Sequence, residues 1–237
     1  MRRIVDVILA TIAVIVLCPL MILIMIALRL TGEGEVLYCQ QRVGQDGTMF
    51  GVWKFATMLK NSPNMGTGTV TIKDDPRILP LGWFLRKCKL DELPQLFNIL
   101  KGDMSVIGPR PQTRRCFDAY PASSQQAVIS VKPGLSGVGS IVFCDEDELI
   151  VASPHADKVY DGVIMPFKGE LEEWYVRNRT GGTYIKLTVL ALLALVFIRR
   201  TTLAWRVFPE LPLPGGHLAS LLRLDFQRTH GRRGTRQ

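Results

Sequence analysis

Hydrophobic positions follow three different patterns along the chain. An apolar run without a charged residue extends from 7 to 28. Apolar residues between 36 and 55 are largely β-branched or aromatic and flank a Gly-rich turn, and from 78 to 100 they recur every three or four residues. These patterns predict, in order, a membrane segment, a β-hairpin and amphipathic helices.

The N-terminal apolar run is long enough to enter a bilayer. About 22 residues that rise 1.5 Å each match a hydrocarbon core of roughly 30 Å. Pro19 lies near the middle of the run, and because proline removes a backbone donor and clashes with the preceding turn we predict a kink or a break in the helix there. Arg2, Arg3 and Arg29 flank both ends, so the positive-inside rule selects no orientation for a straight span. We therefore expect a re-entrant helix that returns to the same membrane face, with a kinked single span as the alternative.

The segments that follow predict a small domain of mixed structure. Residues 36–42 and 49–55 flank the turn at 44–47 and predict the hairpin. Helical spacing at 78–85 and at 93–100, with Gly102 as a stop, predicts two amphipathic helices, and 170–179 predicts a third. The expected fold class is α+β and predominantly helical, with amphipathic helices at the membrane interface.

The C-terminal part changes character twice. The apolar stretch 187–198 is too short to span a bilayer and ends in two arginines, so we expect an interfacial segment. Beyond it, Pro, Gly and Arg predominate and predict a basic, disordered tail. The predicted organisation is a membrane helix at 1–30, a catalytic domain at 31–186, an interfacial segment at 187–208 and a tail at 209–237.

Composition narrows the classes of function. The 237 residues suffice for one sizeable core, and the net charge of +8 favours anionic partners such as phosphates or lipid headgroups. Five widely spaced cysteines without a C-x-x-C pair argue against a disulfide framework and a zinc site. Three histidines, two of them in the tail, disfavour a Ser-His or Cys-His mechanism. The basic tail lacks interleaved aromatic residues, so nucleic acid is not an expected partner.

Two adjacent carboxylates lie in a segment that Pro94 constrains. Because proline is tolerated only in the first turn of a helix, the helix over 93–100 is predicted to begin near Asp91, with Asp91 at the N-cap and Glu92 just inside. Neighbouring side chains on a helix diverge by about 100°, so one acid would face a reacting phosphorus while the other holds a metal. Ordinary capping by Asp91 beside a solvated Glu92 is the alternative from these residues alone.

Four basic residues are candidates for binding phosphate. Arg110 lies between two prolines, which stiffen the backbone and present the guanidinium from a fixed support. Arg86, Arg77 and Lys54 would add positive charge around a diphosphate. Each alone is more often a surface residue, but together with the two acids they predict a phosphate-transfer site.

Short motifs recur in order along the chain. They are Arg2-Arg3-Ile4-Val5-Asp6, the mid-segment Pro19, Gln40-x-Arg42-x-Gly44, Lys54-Phe55-x-Thr57-Met58, Asp75-Pro76-Arg77-Ile78, Leu81-Gly82-x-Phe84-Leu85-Arg86-Lys87, Leu90 to Asn98, Leu100-Lys101-Gly102-Asp103-Met104-Ser105, Gly108 to Pro111, Lys132-Pro133-Gly134-Leu135-Ser136-Gly137 and Tyr175-Val176-x-Asn178. In these motifs the chain resembles the bacterial sugar transferases that act as monotopic phosphoglycosyl transferases and start glycan assembly on undecaprenyl phosphate. The resemblance covers 2–186 and is nearly continuous from 75 to 111.

The resemblance implies a reaction and a place in the cell. By position, Asp91 is the nucleophile, Glu92 the Mg²⁺ ligand, and Arg86 and Arg110 lie at phosphate-binding positions. The implied enzyme transfers a sugar-1-phosphate from a UDP-sugar to polyprenyl (undecaprenyl) phosphate, with release of UMP and a covalent phospho-sugar intermediate on Asp91. It implies a re-entrant helix broken at Pro19 and a catalytic domain on the cytoplasmic face of the bacterial inner membrane. The product would pass to downstream glycosyltransferases.

The sequence also departs from the family pattern. Ala56 replaces a basic residue, Cys18 stands where Ser is common, and 138–143 replaces a Trp-Ala-Gln-Val-Asn-Gly-Arg run before the acidic stretch 145–148. These changes bear on recognition of the nucleotide or the sugar. Two alternatives stay open: a membrane glycosyltransferase that releases UDP, and a catalytically altered membrane scaffold of the same family.

Overall fold

In the computed structural model of the protein, the residues described are 2–66, 71, 74–144, 156–196 and 201–222. Helices predominate, and the strands form two small two-stranded sheets. The predicted class, largely helical with a small β component, is confirmed. The predicted acidic stretch 145–148 and the basic residues beyond 222 lie outside the described residues.

The N-terminal apolar run forms one helix, α1 (Arg2–Leu30). Helical backbone continues through Pro19, so the prediction of a broken helix is wrong. Proline removes one N–H donor, and the hydrogen bonds on either side of it are sufficient to continue the helix. In the described part of the chain, α1 is the helix that is long and apolar enough to cross a membrane.

Both ends of α1 are attached to the same domain. Near the N-terminus, Asp6 is only 4% exposed and accepts hydrogen bonds from the Ser105 hydroxyl (2.9 Å), the Val106 N–H (2.9 Å) and the Tyr184 hydroxyl (2.6 Å). Near the C-terminus, Leu28 packs in a buried cluster with residues of the domain. A face of Ile, Leu and Val side chains between these ends remains exposed.

The predicted β-hairpin is present. Strands β1 (Leu37–Val43) and β2 (Met49–Phe55) pair antiparallel, with Tyr38 opposite Lys54. Asp46 in the connecting turn has a φ of 56°, a left-handed conformation that aspartate tolerates better than most residues. Val52 and Phe55 pack against α1, so the hairpin joins this apolar helix to the rest of the domain.

Two short helices follow the hairpin. Helix α2 (Pro80–Lys87) and helix α3 (Gln95–Lys101) match the two predicted amphipathic segments, although each begins two residues later than its pattern. Gly102 ends α3 with a φ of 102°, as predicted for a glycine stop. A 3₁₀ turn, Leu90–Glu92, lies between the helices.

The next segment builds the second sheet. Strand β3 (Ser105–Ile107) pairs parallel with β4 (Gly134–Ser136). Helices α4 (Arg114–Asp118) and α5 (Ala122–Ile129) connect the two strands, and α6 (Val138–Val142) follows β4 directly.

The C-terminal helices enclose the largest core cluster. Helix α7 (Ala156–Val159) continues through a π-helical turn, Tyr160–Ile164, into α8 (Met165–Arg177). Helix α8 includes all but the last two residues of the predicted third amphipathic helix, 170–179. The apolar stretch forms α9 (Gly181–Val196), followed by α10 (Thr201–Val207) and α11 (Gly216–Leu221).

The expected disordered tail differs from the structure between 209 and 222. Leu211, Leu218 and Leu222 are buried in the same core cluster as Phe208 and Trp174. Because leucines spaced by three to seven residues bury apolar area without needing a regular pattern, a segment rich in Pro and Gly still packs here.

Candidate active site

The two adjacent carboxylates lie in the 3₁₀ turn between α2 and α3. Lys89, just before the turn, has a φ of 56°, and this left-handed residue turns the chain out of α2. Pro94, not Asp91, occupies the N-cap position of α3, and Asp91 caps no helix through its side chain. The predicted N-cap position of Asp91 is therefore wrong, because the left-handed turn at Lys89 delays the α-helix to Gln95.

Asp91 is buried, and one of its carboxylate oxygens accepts no hydrogen bond from the described residues. Its side chain belongs to a residue that is 3% exposed, and Oδ1 has no hydrogen-bond partner among the described residues. Burial, and next the negative charge of Glu92, raise the pKa of Asp91, while Lys54 and Arg86 oppose the shift. A weakly solvated carboxylate with a free lone pair has the properties of a nucleophile.

Glu92 has the opposite environment. Its Oε1 accepts a hydrogen bond from Arg110 Nη2 and lies 3.5 Å from Lys54 Nζ. Burial acts to raise the pKa of Glu92, but the charges of Arg110 and Lys54 outweigh burial and hold the pKa well below its usual range. Two neighbouring acids with opposite shifts are the arrangement in which two carboxylates take different chemical roles.

The four predicted phosphate-binding residues separate into two groups. Lys54, Arg86 and Arg110 line one cavity with Asp91 and Glu92. Arg86 donates to Thr71 Oγ1 (2.9 Å), and Arg110 Nη1 donates to the carbonyl of Leu135 (2.9 Å).

Arg77 has a different place. Its buried guanidinium is paired with Asp75 (2.6 Å) and donates to the carbonyls of Ser62 (3.0 Å) and Met65 (2.8 Å). These bonds fasten the segment that follows the hairpin. The structure therefore places Arg77 in a structural ion pair and not beside Lys54, Arg86 and Arg110.

The cavity also contains basic residues to which the sequence assigned no role. Its volume is about 740 Å³. Arg42 on β1 lines the cavity and donates to Gln40 Oε1 (2.6 Å) and to the carbonyl of Pro111 (2.9 Å). Burial lowers the pKa of Arg42, and the nearby positive charge of Arg110 lowers it further. The motif Gln40-x-Arg42-x-Gly44 was the signal for Arg42. Lys168 on α8 is a buried lysine on the wall, for which no sequence pattern gave a signal.

The segments that depart from the family pattern lie on this cavity. Ser140, Ile141 and Phe143, from the altered stretch 138–143, form part of its wall, and Ala56 lines it as well. The hydroxyl of Ser140 is buried and has no hydrogen-bond partner in the described part of the chain. The residues that depart from the family pattern therefore form part of the cavity wall.

Glu92 is the residue that would hold a magnesium ion. Within the described residues, no cluster of three or more His, Cys, Asp or Glu side chains can hold a metal. Mg²⁺ is usually bound by one or two carboxylates together with waters and substrate phosphates. A single ionised carboxylate on the wall of a basic cavity fits this mode, and Glu92 supplies it.

Comparison with known proteins shows to which family the chain belongs. The sequence model of the family described as bacterial sugar transferase matches residues 1–198. The chain belongs to the bacterial sugar transferase family. The resemblance seen in the motifs is thereby confirmed.

Several curated relatives of this sugar transferase are similar over their matching parts. The UDP-glucose:undecaprenyl-phosphate glucose-1-phosphate transferase of Escherichia coli is 37% identical over 148 residues, 60% of this chain and 31% of the relative. The undecaprenyl-phosphate galactose phosphotransferase of Salmonella typhimurium is 32% identical over 214 residues, 84% of this chain and 41% of the relative. The exopolysaccharide production protein ExoY of Sinorhizobium fredii is 35% identical over 154 residues, which are 59% of this chain and 68% of the relative. The chain thus spans less than half of the first two relatives.

Proposed function

We propose that this sugar transferase moves a sugar-1-phosphate from a UDP-sugar to polyprenyl (undecaprenyl) phosphate and releases UMP. The observation that carries the proposal is the buried, unpartnered oxygen of Asp91 in a cavity lined by Lys54, Arg86 and Arg110. The names of the relatives, which are undecaprenyl-phosphate sugar transferases and an exopolysaccharide production protein, support this reaction class and a role in exopolysaccharide assembly.

The first step is attack by a carboxylate oxygen of Asp91 on the β-phosphorus of the UDP-sugar. A new bond forms between that oxygen and the phosphorus, the bond to the α-phosphate oxygen breaks, and UMP leaves with the electron pair. Asp91 then carries the sugar phosphate as an acyl phosphate. Burial serves this step because an unsolvated carboxylate loses little hydration when it attacks.

In the second step an oxygen of the polyprenyl phosphate attacks the same phosphorus and releases Asp91. The product is a polyprenyl-diphosphate sugar, the kind of lipid-linked acceptor that downstream glycosyltransferases extend. Arg110 and Lys54 would neutralise charge around the transferred phosphate, and Arg86 would hold the departing nucleotide phosphate. Mg²⁺ held by Glu92 would supply Lewis-acid stabilisation of the diphosphate.

We further propose that the protein is monotopic, with its catalytic domain on the cytoplasmic face of the bacterial inner membrane. Helix α1 is about 43 Å long at 1.5 Å per residue, yet residues near both of its ends pack on one domain. A spanning helix would carry one end away from that domain. The arrangement supports a monotopic course in which the continuous helix lies along the membrane and its exposed face enters a single leaflet.

A soluble and a lipid-linked substrate must meet at one site, and the surroundings of the cavity suit this. Trp83 and Phe84 are exposed on α2, the helix that also carries Arg86 of the cavity wall, and Lys87 lies over the Trp83 ring at 5.5 Å. Aromatic and basic side chains of this kind settle at the boundary between headgroups and acyl chains. The site would therefore open at the membrane interface.

The experiment that tests the function measures the nucleotide released by purified protein in detergent with Mg²⁺, polyprenyl phosphate and a panel of UDP-sugars. Wild type is expected to release UMP, and Asp91→Asn is expected to release none. Asp118→Asn is the matched control, because Asp118 forms an exposed ion pair with Arg114 on α4. Label from the β-phosphate should remain on wild type, and not on Asp91→Asn, when polyprenyl phosphate is withheld.

Two outcomes would replace the proposal. Release of UDP would assign the protein to the glycosyltransferases, with Asp91 and Glu92 as metal ligands only. No turnover with any UDP-sugar, by a protein that is folded and membrane-bound, would favour the scaffold. The altered 138–143 wall makes the scaffold the second candidate, because that wall contacts the substrate cavity.

A further inference from the structure

A second buried carboxylate lies behind the active-site cavity. Glu172 on α8 is 1% exposed. Its Oε1 accepts a hydrogen bond from the N–H of Gly139 (3.1 Å), while Oε2 has no hydrogen-bond partner among the described residues. No periodic pattern required an acid at this position, since apart from Lys168 the other buried residues of α8 are Met, Phe, Gly, Leu, Trp and Tyr. Burying a carboxylate without full pairing is costly, so the position needs a reason other than packing.

The backbone around Glu172 is shaped to admit this side chain. A Cβ at Gly137 would lie 2.7 Å from both carboxylate oxygens and 2.5 Å from the carbonyl oxygen of Gly108. A Cβ at Gly139 would lie 2.8 Å from Oε1. Two glycines at the start of α6 therefore leave the space that the carboxylate fills, and any other residue at either position would collide with it.

One of the segments that pack around Glu172 ends at Arg110, whose guanidinium lines the active-site cavity. Residues 108–110, which we call the strap, run along β4: the Gly108 N–H donates to Ser136 O (3.0 Å), and the Gly134 N–H donates to Pro109 O (2.9 Å). A Cβ at Gly137 would meet both the Gly108 carbonyl of the strap and the Glu172 carboxylate, so Glu172 lies against the strap as well as against the Gly139 N–H. The backbone N–H of Arg110 also favours the ionised form of this carboxylate. At the end of the strap the Arg110 guanidinium bonds to Glu92.

We propose that Glu172 is a positioning residue: its buried carboxylate holds the strap against the first turn of α6 and so fixes the Arg110 guanidinium on Glu92. The proposal deepens the phosphate transfer proposed above and rests on it. Glu172 does not reach the reacting atoms. It acts through Arg110, and loss of its charge would loosen the cation that faces the transferred phosphate.

The ionisation of Glu172 falls in the physiological range. Burial raises the pKa of Glu172 to about 7, against the two N–H groups and the charge of Lys168, which favour the anion. Among the groups facing it, Lys168 and Tyr175 belong to α8 and Arg110 to the strap, whereas β3, β4 and α6 contribute no titratable side chain. The anion is the form that both N–H groups stabilise, so positioning should improve as pH rises through 7.

The test compares steady-state UMP release by wild type, Glu172→Gln and Glu173→Gln. Glu173 is the adjacent control, because its carboxylate bonds to Ser123, Ser124 and Arg177 on the other side of α8. We expect Glu172→Gln to lower kcat about tenfold or more with little change in KM, since a misplacement of 1 Å costs up to 10²-fold. On the acid side of the profile, the slope of log kcat against pH should fall by about one in this variant, because one ionisable group has been removed. Wild-type kinetics in Glu172→Gln would overturn the proposal.

A second pair of variants separates positioning from filling of space. Glu172→Ala leaves a void next to Gly139, and the double variant with Gly139→Ala partly refills it. We expect the double variant to regain thermal stability and not kcat. Recovery of kcat would show that volume alone matters and would refute the positioning role.

The proposal is also testable without turnover. If wild type releases no UMP, the phosphate-transfer proposal fails, and the apparent Tm of Glu172→Gln, Arg110→Gln and the double variant then decides the positioning. Residues that act through each other give non-additive changes, whereas independent residues add. Additive shifts would reject the link between Glu172 and Arg110.

Discussion

Asp91 and Glu92 are neighbours whose removal should change stability in opposite directions. The Asp91 carboxyl binds its proton more tightly when folded than when unfolded, so ionisation above its ordinary pKa near 3.8 lowers the free energy of unfolding. Asp91→Asn removes that penalty. Glu92 has a lowered pKa, so its charge stabilises the fold at every pH above its ordinary value near 4.5. Glu92→Gln should remove that stabilisation.

The magnitudes follow from the contacts. At 3.5 Å and an effective dielectric constant of 20, attraction between Lys54 and Glu92 amounts to about 5 kcal/mol, of which desolvation cancels a large part. We expect Glu92→Gln to cost about 2–3 kcal/mol, which lowers Tm by about 4–12 °C in a chain of this size. Asp91→Asn should gain about 1–2 kcal/mol, or about 2–8 °C, because a buried charged oxygen without a partner becomes neutral.

The assay is thermal unfolding in detergent with EDTA, at pH 5 and at pH 7. The gain of Asp91→Asn should shrink from pH 7 to pH 5, because wild-type Asp91 becomes protonated as pH falls. The loss in Glu92→Gln should stay constant across the same range, since Glu92 remains ionised. Shifts in the same direction for both variants, or a destabilised Asp91→Asn, would refute the electrostatic reasoning.

Three further predictions concern charge, the membrane helix and the interface. Lys54→Met should move the acid limb of UMP release to higher pH, because Lys54 lowers the pKa of Asp91. Lys101→Met, which breaks an exposed ion pair, should leave that limb in place. Asp6→Ala should lower the free energy of unfolding, measured with denaturant, by about 3–6 kcal/mol, because three donors lose their acceptor. A decrease below about 1 kcal/mol would contradict this reasoning. Trp83→Ser should lower the fraction of protein that floats with anionic liposomes, and unchanged flotation would remove Trp83 from the interface.

Much of the local structure followed from the sequence. The apolar run predicted α1, the residues around the turn predicted the hairpin, and Gly102 ended α3 as expected. These elements depend on nearest neighbours and on spacing, which a sequence displays directly. Lys54, Arg86 and Arg110 were also grouped correctly around the cavity, since the resemblance ordered motifs that lie far apart in the chain.

Other features depend on contacts that a pattern cannot show. Pro94 indicated a helix start near Asp91, but the left-handed residue Lys89 set the true start later. Arg77 was grouped with the phosphate-binding residues because its charge was visible, whereas its pairing with Asp75 depends on the fold of one turn. The burial of Glu172 depends on two glycines more than thirty residues earlier.

The bonds of Asp6 have a consequence for how the protein is made. Ser105 and Tyr184, which satisfy its carboxylate, lie 99 and 178 residues later in the chain. At a synthesis rate of about 5–20 residues per second, Asp6 is made roughly 9–36 seconds before Tyr184. During that interval the acid near the start of the apolar helix lacks one of its three donors. Asp6 is therefore fully paired only late in synthesis, so the final seating of the first helix on the domain depends on a residue of α9.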